Sequence, residues 1–248
     1  MFIFEDSNAL GNGILINGDC LEEMKKIPDN SIDLILTDPP FNVGLDYSKT
    51  TLSGVDNWDN EDYSKWCGDW LKSLYRASKQ GSFAIVFTGD KNLYYIFQAV
   101  MSSGYTYHHI LKWHKPNCQR ALSGTVFFNR TELAFILSKG KPEQSRINRK
   151  ELYSDTIIFN NQSVSDGDVG HPARRPISLY ETIIKGFTNK NNIVLDPFLG
   201  SGTTAIACEK LQRKWIGIEI SKEYCELTRK RIEPWINQTR INAFGQSE

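Results

Sequence analysis

The chain has 248 residues, 40% hydrophobic and 12% aromatic, with 29 basic and 29 acidic side chains and a formal net charge of zero. That length and apolar content predict one α/β domain with a large core. No apolar run reaches about 18 residues, so no membrane-spanning helix is expected, and Glu5 and Asp6 interrupt the opening stretch, so no secretory signal is expected.

In chain order, a short strand is predicted at 14–17, with Asp19 after it and a helix over about 20–27 that Pro28-Asp29-Asn30 ends. Residues 32–37 form a continuous apolar strand of the buried, parallel kind. Residues 42–58 read as a loop able to close over a ligand. Trp66, Trp70, Leu71 and Leu74 recur at helical spacing within 62–79. A strand at 82–87, a helix at 91–101, a strand at 105–113 and an antiparallel strand at 131–137 follow. Residues 114–130 and 138–170 are polar and irregular. Regular structure resumes with a helix at 176–186, a strand at 193–196, a helix at 202–211, a strand at 214–218 and a helix at 221–232. The tail from 237 is expected to fray. Strands alternating with helices predict a doubly wound, mostly parallel sheet with helices on both faces. Ligands in such sheets bind beyond the carboxyl ends of the strands, at the switch point.

Zero net charge conceals an asymmetry. Residues 1–111 hold 8 Lys+Arg against 15 Asp+Glu, residues 112–190 hold 13 against 7, and residues 191–248 hold 8 against 7. A basic middle segment in a neutral protein suggests contact with a polyanion, or else a solvated face. The five cysteines (20, 67, 118, 208 and 225) lack CxxC spacing and are expected as free thiols in a reducing cytoplasm. The four histidines (108, 109, 114 and 171) show no ligand spacing, so no metal is expected.

Two phrases stand at carboxyl ends of predicted strands. The late one is Asp196-Pro197-Phe198-Leu199-Gly200-Ser201-Gly202-Thr203-Thr204. Gly200 and Gly202 permit a tight turn and close approach of a ligand, the helix that follows offers free amides, and Thr203 and Thr204 add hydroxyls. No Gly-Lys-Ser/Thr follows, so this is not a P-loop, and an ordinary strand-to-helix turn remains the plain alternative. Glu219 ends the next strand, placed to accept from two ribose hydroxyls or to cap a surface helix. Asp19 could meet an adenine amino group, although Asp19-Cys20-Leu21-Glu22 also has the form of a capping box.

The early phrase is Asp38-Pro39-Pro40-Phe41. Its prolines fix φ and remove two donors, so nearby carbonyls are held as rigid acceptors. Asp38 adds a charged acceptor and Phe41 a flat apolar face, a set suited to a planar base with an exocyclic amino group.

Together these motifs resemble the β-group S-adenosylmethionine-dependent DNA amino-methyltransferases, in which a DPPY/DPPF motif precedes FxGxG with the target-recognition region between. Phe198–Gly202 matches FxGxG, and Asp38–Phe41 matches the catalytic motif. His171-Pro172-Ala173-Arg174-Arg175-Pro176 resembles the HPxxKP signature, with Arg175 in place of lysine. The similarity spans roughly 14–232. It implies a circularly permuted Rossmann-like methyltransferase fold with a seven-stranded sheet, one domain over 1–248 and a target-recognition insertion at about 114–170. It assigns Asp38, Pro39, Pro40 and Phe41 to catalysis. It assigns Asp19, Asp38, Arg175, Asp196, Phe198, Gly200, Ser201, Gly202, Thr203 and Glu219 to S-adenosylmethionine.

The resemblance further implies double-stranded DNA as the partner, with Lys115, Arg120, Arg130, Lys141, Arg146, Arg149 and Lys150 as candidate phosphate or base contacts. The small recognition region suggests a homodimer or a short site, and a cognate restriction endonuclease is left open as a partner. A target adenine would flip out of the duplex. The nearest rival is cytosine-N4 methylation by the same clamp, where Ser-Pro-Pro is the commoner motif. RNA or protein amides are a second rival, amide methylators tending to carry Asn-Pro-Pro. A non-catalytic nucleic-acid-binding module is a third.

Overall fold

The computed structural model describes residues 8–42, 58–118, 128–148, 150–151, 154–161 and 175–244, without the side chains of Arg146 and of 238–244. The 42–58 loop, apart from its two ends, His171 to Arg174, Arg120 and Arg149 lie outside the described residues.

The strands are β1 (Ala9–Leu10), β2 (Gly13–Asn17), β3 (Ile32–Thr37), β4 (Ser78–Thr88), β5 (Thr106–His114), β6 (Thr131–Ser138), β7 (Thr156–Ile158), β8 (Ile193–Asp196) and β9 (Lys214–Glu219). The helices are α1 (Cys20–Met24), α2 (Asn60–Ala77), α3 (Leu93–Ser102), α4 (Ile177–Phe187), α5 (Thr203–Lys210) and α6 (Lys222–Phe244). The strands join one sheet in the order β1-β2-β9-β8-β3-β4-β6-β5-β7. The expected seven strands run from β2 to β5 in that order, and a two-residue and a three-residue strand extend the two edges. Neither edge strand is long enough to show a period of two in the sequence.

The centre is parallel: β2 with β9, β9 with β8, β8 with β3, and β3 with β4. β6 pairs antiparallel with β4 and β5. β3 is buried at all six positions. Leu34 and Leu36 face one core with Phe83, Ile85 and Phe87 of β4, beneath α4, α5 and α6. Ile35 faces the other with Ala84 and Val86, beneath α1, α2 and α3. A continuous apolar run is what a strand covered on both faces requires. The register shifts between Ile32 and Leu34, and buried Asp33 there is held by Lys79 Nζ at 2.8 Å and by the Ile193 amide at 3.0 Å.

β6, the antiparallel strand expected at 131–137, lies within 114–170 and is an integral strand between β4 and β5, and β7 extends the sheet edge beside β5. Two expectations need correction. The last helix does not stop at 232 but continues to Phe244 through Pro234. Proline removes one helical hydrogen bond, yet buried Ile232 before it and Trp235 and Ile236 after it all pack on the α4–α6 core, which keeps the helix in line. Finally, Lys115 is buried and paired with Glu132 at 2.8 Å, so it is not a surface cation for a phosphate. Of the other candidates, Lys141 and Lys150 are exposed and Arg130 is half-buried with Nε on the Cys118 carbonyl. All five cysteines are free thiols. Among the described residues no helix is long and apolar enough to cross a membrane.

Candidate active site

β3 and β8 are parallel neighbours, Leu34 beside Val194 and Ile35 beside Leu195. Their chains leave in opposite directions, β3 toward β4 and β8 toward β9, so the gap between their carboxyl ends is the switch point of the sheet. The two motifs emerge there side by side. Thr37 Oγ1 donates to Asp196 Oδ1 at 2.8 Å, which ties the last residue before the clamp to the last residue before the glycine turn.

The clamp is braced by residues with no sequence motif to mark them. Tyr63 of α2 donates its hydroxyl to the Pro40 carbonyl at 2.9 Å. Asn92 Nδ2 donates to the Phe41 and Asn42 carbonyls, each at 2.7 Å. Asn42 takes a left-handed φ of 54° and brackets the Trp58 backbone, accepting from its amide at 2.9 Å and donating to its carbonyl at 3.1 Å. The Phe41 ring lies over Gly89, where a Cβ would come within 3.3 Å of it. Among the described residues no hydrogen bond is made to the carbonyl of Pro39, which is itself a buried residue.

Arg175 reaches the clamp from the segment just before α4. Its Nη2 stands 3.1 Å from Asp38 Oδ1 and 2.8 Å from Asp38 Oδ2, and 2.8 Å from Glu132 Oε2. Its guanidinium is 6.0 Å from the Phe41 ring, 5.9 Å from Phe87 and 5.6 Å from Trp113. Arg175 therefore sits on the clamp. Burial pushes the Asp38 carboxyl up to about 6, Arg175 pulling the other way and Glu132 adding to the rise.

On the cofactor side, Gly200 and Gly202 have φ values of 55° and 85°. A Cβ on Gly202 would come within 2.6 Å of Thr228 Cγ2, so both backbone and space demand glycine. Glu219 is buried and spans the turn: Oε2 accepts from the Gly200 amide and Oε1 from the Ser221 amide, each at 2.8 Å. Its burial raises its pKa. A carboxylate has about four lone-pair sites, so two amides leave room for further donors. The Gly18 amide donates to the Glu219 carbonyl at 3.1 Å, which brings Asp19 to the same rim. Asp19 Oδ1 caps α1, accepting from the Leu21 and Glu22 amides at 2.9 and 3.2 Å, and its second oxygen takes no part. The return half of a capping box is not made, since Glu22 pairs with Lys25 instead.

Three expected cofactor residues have partners within the protein. Asp196 takes Thr37 and the Phe198 amide on Oδ1 and the Thr204 hydroxyl on Oδ2. Burial lifts its pKa to about 7. The Ser201 hydroxyl accepts from Arg231 of α6 at 2.8 Å. Arg175 is on Asp38. Phe198 packs on Trp66 and Trp70, each at 5.5 Å, and Trp66 stacks on Trp58 at 4.9 Å. This aromatic wall beside the turn was signalled in the sequence only as helical spacing within 62–79. Among the described residues no group of three or more His, Cys, Asp or Glu side chains is assembled that could hold a metal.

Comparison with known proteins agrees with this arrangement. The N6/N4 family described as DNA methylase matches residues 32–230. The chain is 31% identical to the type II methyltransferase M.HinfI of Haemophilus influenzae, covering 92% of this chain and 70% of that one. It is 32% identical to the putative methylase YubD of Escherichia coli, covering 88% of each. Among solved structures, M1.HpyAVI in complex with SAM superposes with a TM-score of 0.72 at 25% identity, covering 89% of this chain and 98% of that one. The cytosine-N4-specific PvuII DNA methyltransferase has the same fold, with a TM-score of 0.75 at 21% identity over 96% of both chains. The family match covers most of the chain and includes both motifs, so the chain belongs to the N6/N4 DNA methylases, the β-group amino-methyltransferases.

Proposed function

We propose that this chain is a DNA adenine-N6 methyltransferase that uses S-adenosylmethionine and acts on a base flipped out of the duplex. The observation that carries the reading is the placement of Asp38 and Pro39 at the end of β3, next to the glycine turn that leaves β8. An exocyclic amino nitrogen is a poor nucleophile because its lone pair is delocalised into the ring. Asp38 and the Pro39 carbonyl accept its two N–H bonds, which favours a pyramidal nitrogen with its lone pair aimed toward the cofactor side. Fixing that geometry is worth up to about 7–11 kcal/mol of barrier in ideal cases. Asp38, with a carboxyl lifted to about 6, is poised to accept the proton that the nitrogen sheds after transfer. Phe41 offers a stacking face worth roughly 1–3 kcal/mol, against an unstacking cost of a few kcal/mol for the flipped base.

The cofactor, when bound, supplies an electrophilic methyl group. Gly200, Gly202 and Thr203 form the turn and helix start that would hold it, with Glu219 and Asp19 as acceptors for its hydroxyl and amino groups and Phe198 as an apolar wall. Asp196 and Ser201 hold the shape of the turn from behind. The stretches flanking β6, with exposed Lys141 and Lys150, are the candidates for the DNA-facing surface.

Incubation with labelled S-adenosylmethionine and unmethylated genomic DNA, then digestion and separation of nucleosides, tests the proposal. Label in N6-methyladenine is expected. Label only in N4-methylcytosine, or none in DNA, would overturn it.

A further inference from the structure

We propose that Glu132 is a positioning residue for Asp38: it shares the Arg175 guanidinium so that Asp38 is held ready at the clamp yet can exchange that partner for an incoming amino group. The inference rests on the reading of Asp38 as the amine clamp.

Four charges stand in alternating order, Lys115, Glu132, Arg175 and Asp38. Lys115 Nζ is 2.8 Å from Glu132 Oε1, and Arg175 Nη2 is 2.8 Å from both Glu132 Oε2 and Asp38 Oδ2. The array is closed at the rear and open at the front, with 6% of the Lys115 side chain exposed against 22% for Asp38. Charge balance alone would be met by Asp38 and Arg175. The second pair, Lys115 with Glu132, is neutral in itself and adds nothing to that balance.

Its use appears when Asp38 changes partner. Arg175 lies among the rings of Phe41, Phe87 and Trp113. Without Glu132, an Asp38 that turned to a substrate would leave a buried guanidinium with no anion, and in a low-dielectric site that bond would not be surrendered. With Glu132 on the other side, the guanidinium keeps a counter-ion throughout. The contact geometry leaves slack for this exchange. Among the described residues Arg175 Nε is buried without an acceptor, and Glu132 Oε2 is within ion-pair distance of Nη2 but lacks hydrogen-bond alignment. The guanidinium is thus hydrogen-bonded to Asp38 and only electrostatically engaged with Glu132.

Among the described residues, the other titratable groups facing Asp38 are Tyr180 of α4, whose phenol burial keeps neutral, and Asp196 at the end of β8. The Glu132 charge adds to the rise in the Asp38 pKa. Removing it moves the Asp38 titration toward lower pH.

The test is single-turnover methyl transfer to unmethylated genomic DNA across pH, with S-adenosylmethionine affinity measured alongside. Glu132→Gln is expected to lower the plateau rate by about tenfold to a hundredfold, the range for a misplaced reacting group. Its acid limb should shift to lower pH while cofactor affinity stays within about twofold. The double variant Lys115→Met with Glu132→Gln removes the rear pair without stranding an ammonium and should behave the same way, and Glu132→Asp should recover most of the rate. A wild-type plateau and acid limb in both Gln variants would overturn the inference, as would a rate loss that merely follows lost folding or lost cofactor binding. Full activity of Asp38→Asn would instead remove the clamp reading itself.

Discussion

Thr37 and Asp196 are 159 residues apart in sequence and share a 2.8 Å hydrogen bond. This bond couples the two halves of the site, because Thr37 immediately precedes the clamp and Asp196 immediately precedes the glycine turn. The carboxylate it serves is buried and takes up to three donors, from β3, from the turn and from Thr204 of α5.

A pH signature follows from that burial. The Asp196 carboxyl rises from its ordinary value of 3.8 to about 7 on folding. Between those values the folded chain keeps a proton that the unfolded chain has released, so stability falls as pH rises from about 4 to about 7. The effect is on the order of a few kcal/mol at about 1.4 kcal/mol per pKa unit. Urea midpoints at pH 5 and pH 8 should show this slope in the wild type, and Asp196→Asn should flatten it. Thr37→Val leaves one carboxylate oxygen short of a donor and should destabilise by about 1–3 kcal/mol, more at pH 8 than at pH 5. A slope unchanged by Asp196→Asn would show that the carboxyl is not the titrating group.

Asp38→Asn keeps the size of the side chain but replaces one acceptor oxygen with a donor and removes the charge that pairs with Arg175. Methyl transfer should fall by at least about a thousandfold, within the hundredfold to ten-thousandfold span usual for lost acid–base assistance. Cofactor affinity by calorimetry should stay near the wild-type value, because the glycine turn and Glu219 are untouched. In the wild-type enzyme kcat/KM should fall below about pH 6 as Asp38 takes a proton. An acid limb absent down to pH 5 would contradict that assignment.

How much of this was legible in the sequence depended on whether the cause was local. β3 and β8 begin and end where the sequence reading placed them, since each is an apolar run buried on both faces and ended by an Asp-Pro step. The adjacency of the two motifs was also legible, from the rule that ligands gather at the switch point. The partners of Arg175 were not legible because Asp38 and Glu132 lie far away in the chain, and a basic residue in a motif carries no sign of the direction it faces. Lys115 counted as a surface cation for the same reason. The helix expected at 221–232 runs on past Pro234 because the apolar contacts on either side of that residue come from other elements.

Asn92 is the clearest residue that sequence reasoning missed. It stands at the N-cap of α3 without capping its own helix; its side chain reaches back to the Phe41 and Asn42 carbonyls. Asn92→Ala should loosen the clamp while leaving the cofactor turn intact. The expected result is a loss in single-turnover rate of about tenfold to a hundredfold, the scale of a misplacement near 1 Å, with unchanged cofactor affinity. Asn92→Asp keeps the shape but places a carboxylate against two carbonyls, and should do no better than alanine.

Gly202 offers the sharpest separation of conformation from contact. Its φ of 85° is strained for any other L residue, by about 1–3 kcal/mol. Gly202→Ala would also drive the new methyl to within 2.6 Å of Thr228 Cγ2 and 2.8 Å of its Oγ1. Both effects act on the turn, so cofactor affinity should fall by about tenfold or more, at 1.4 kcal/mol per decade. Thr228→Ser keeps the hydroxyl that donates to the Gly200 carbonyl at 3.1 Å and removes Cγ2. Added to Gly202→Ala it should recover part of the lost affinity and leave the backbone strain uncorrected. Full recovery would mean that the methyl contact alone requires glycine here. No recovery would mean that the left-handed backbone does.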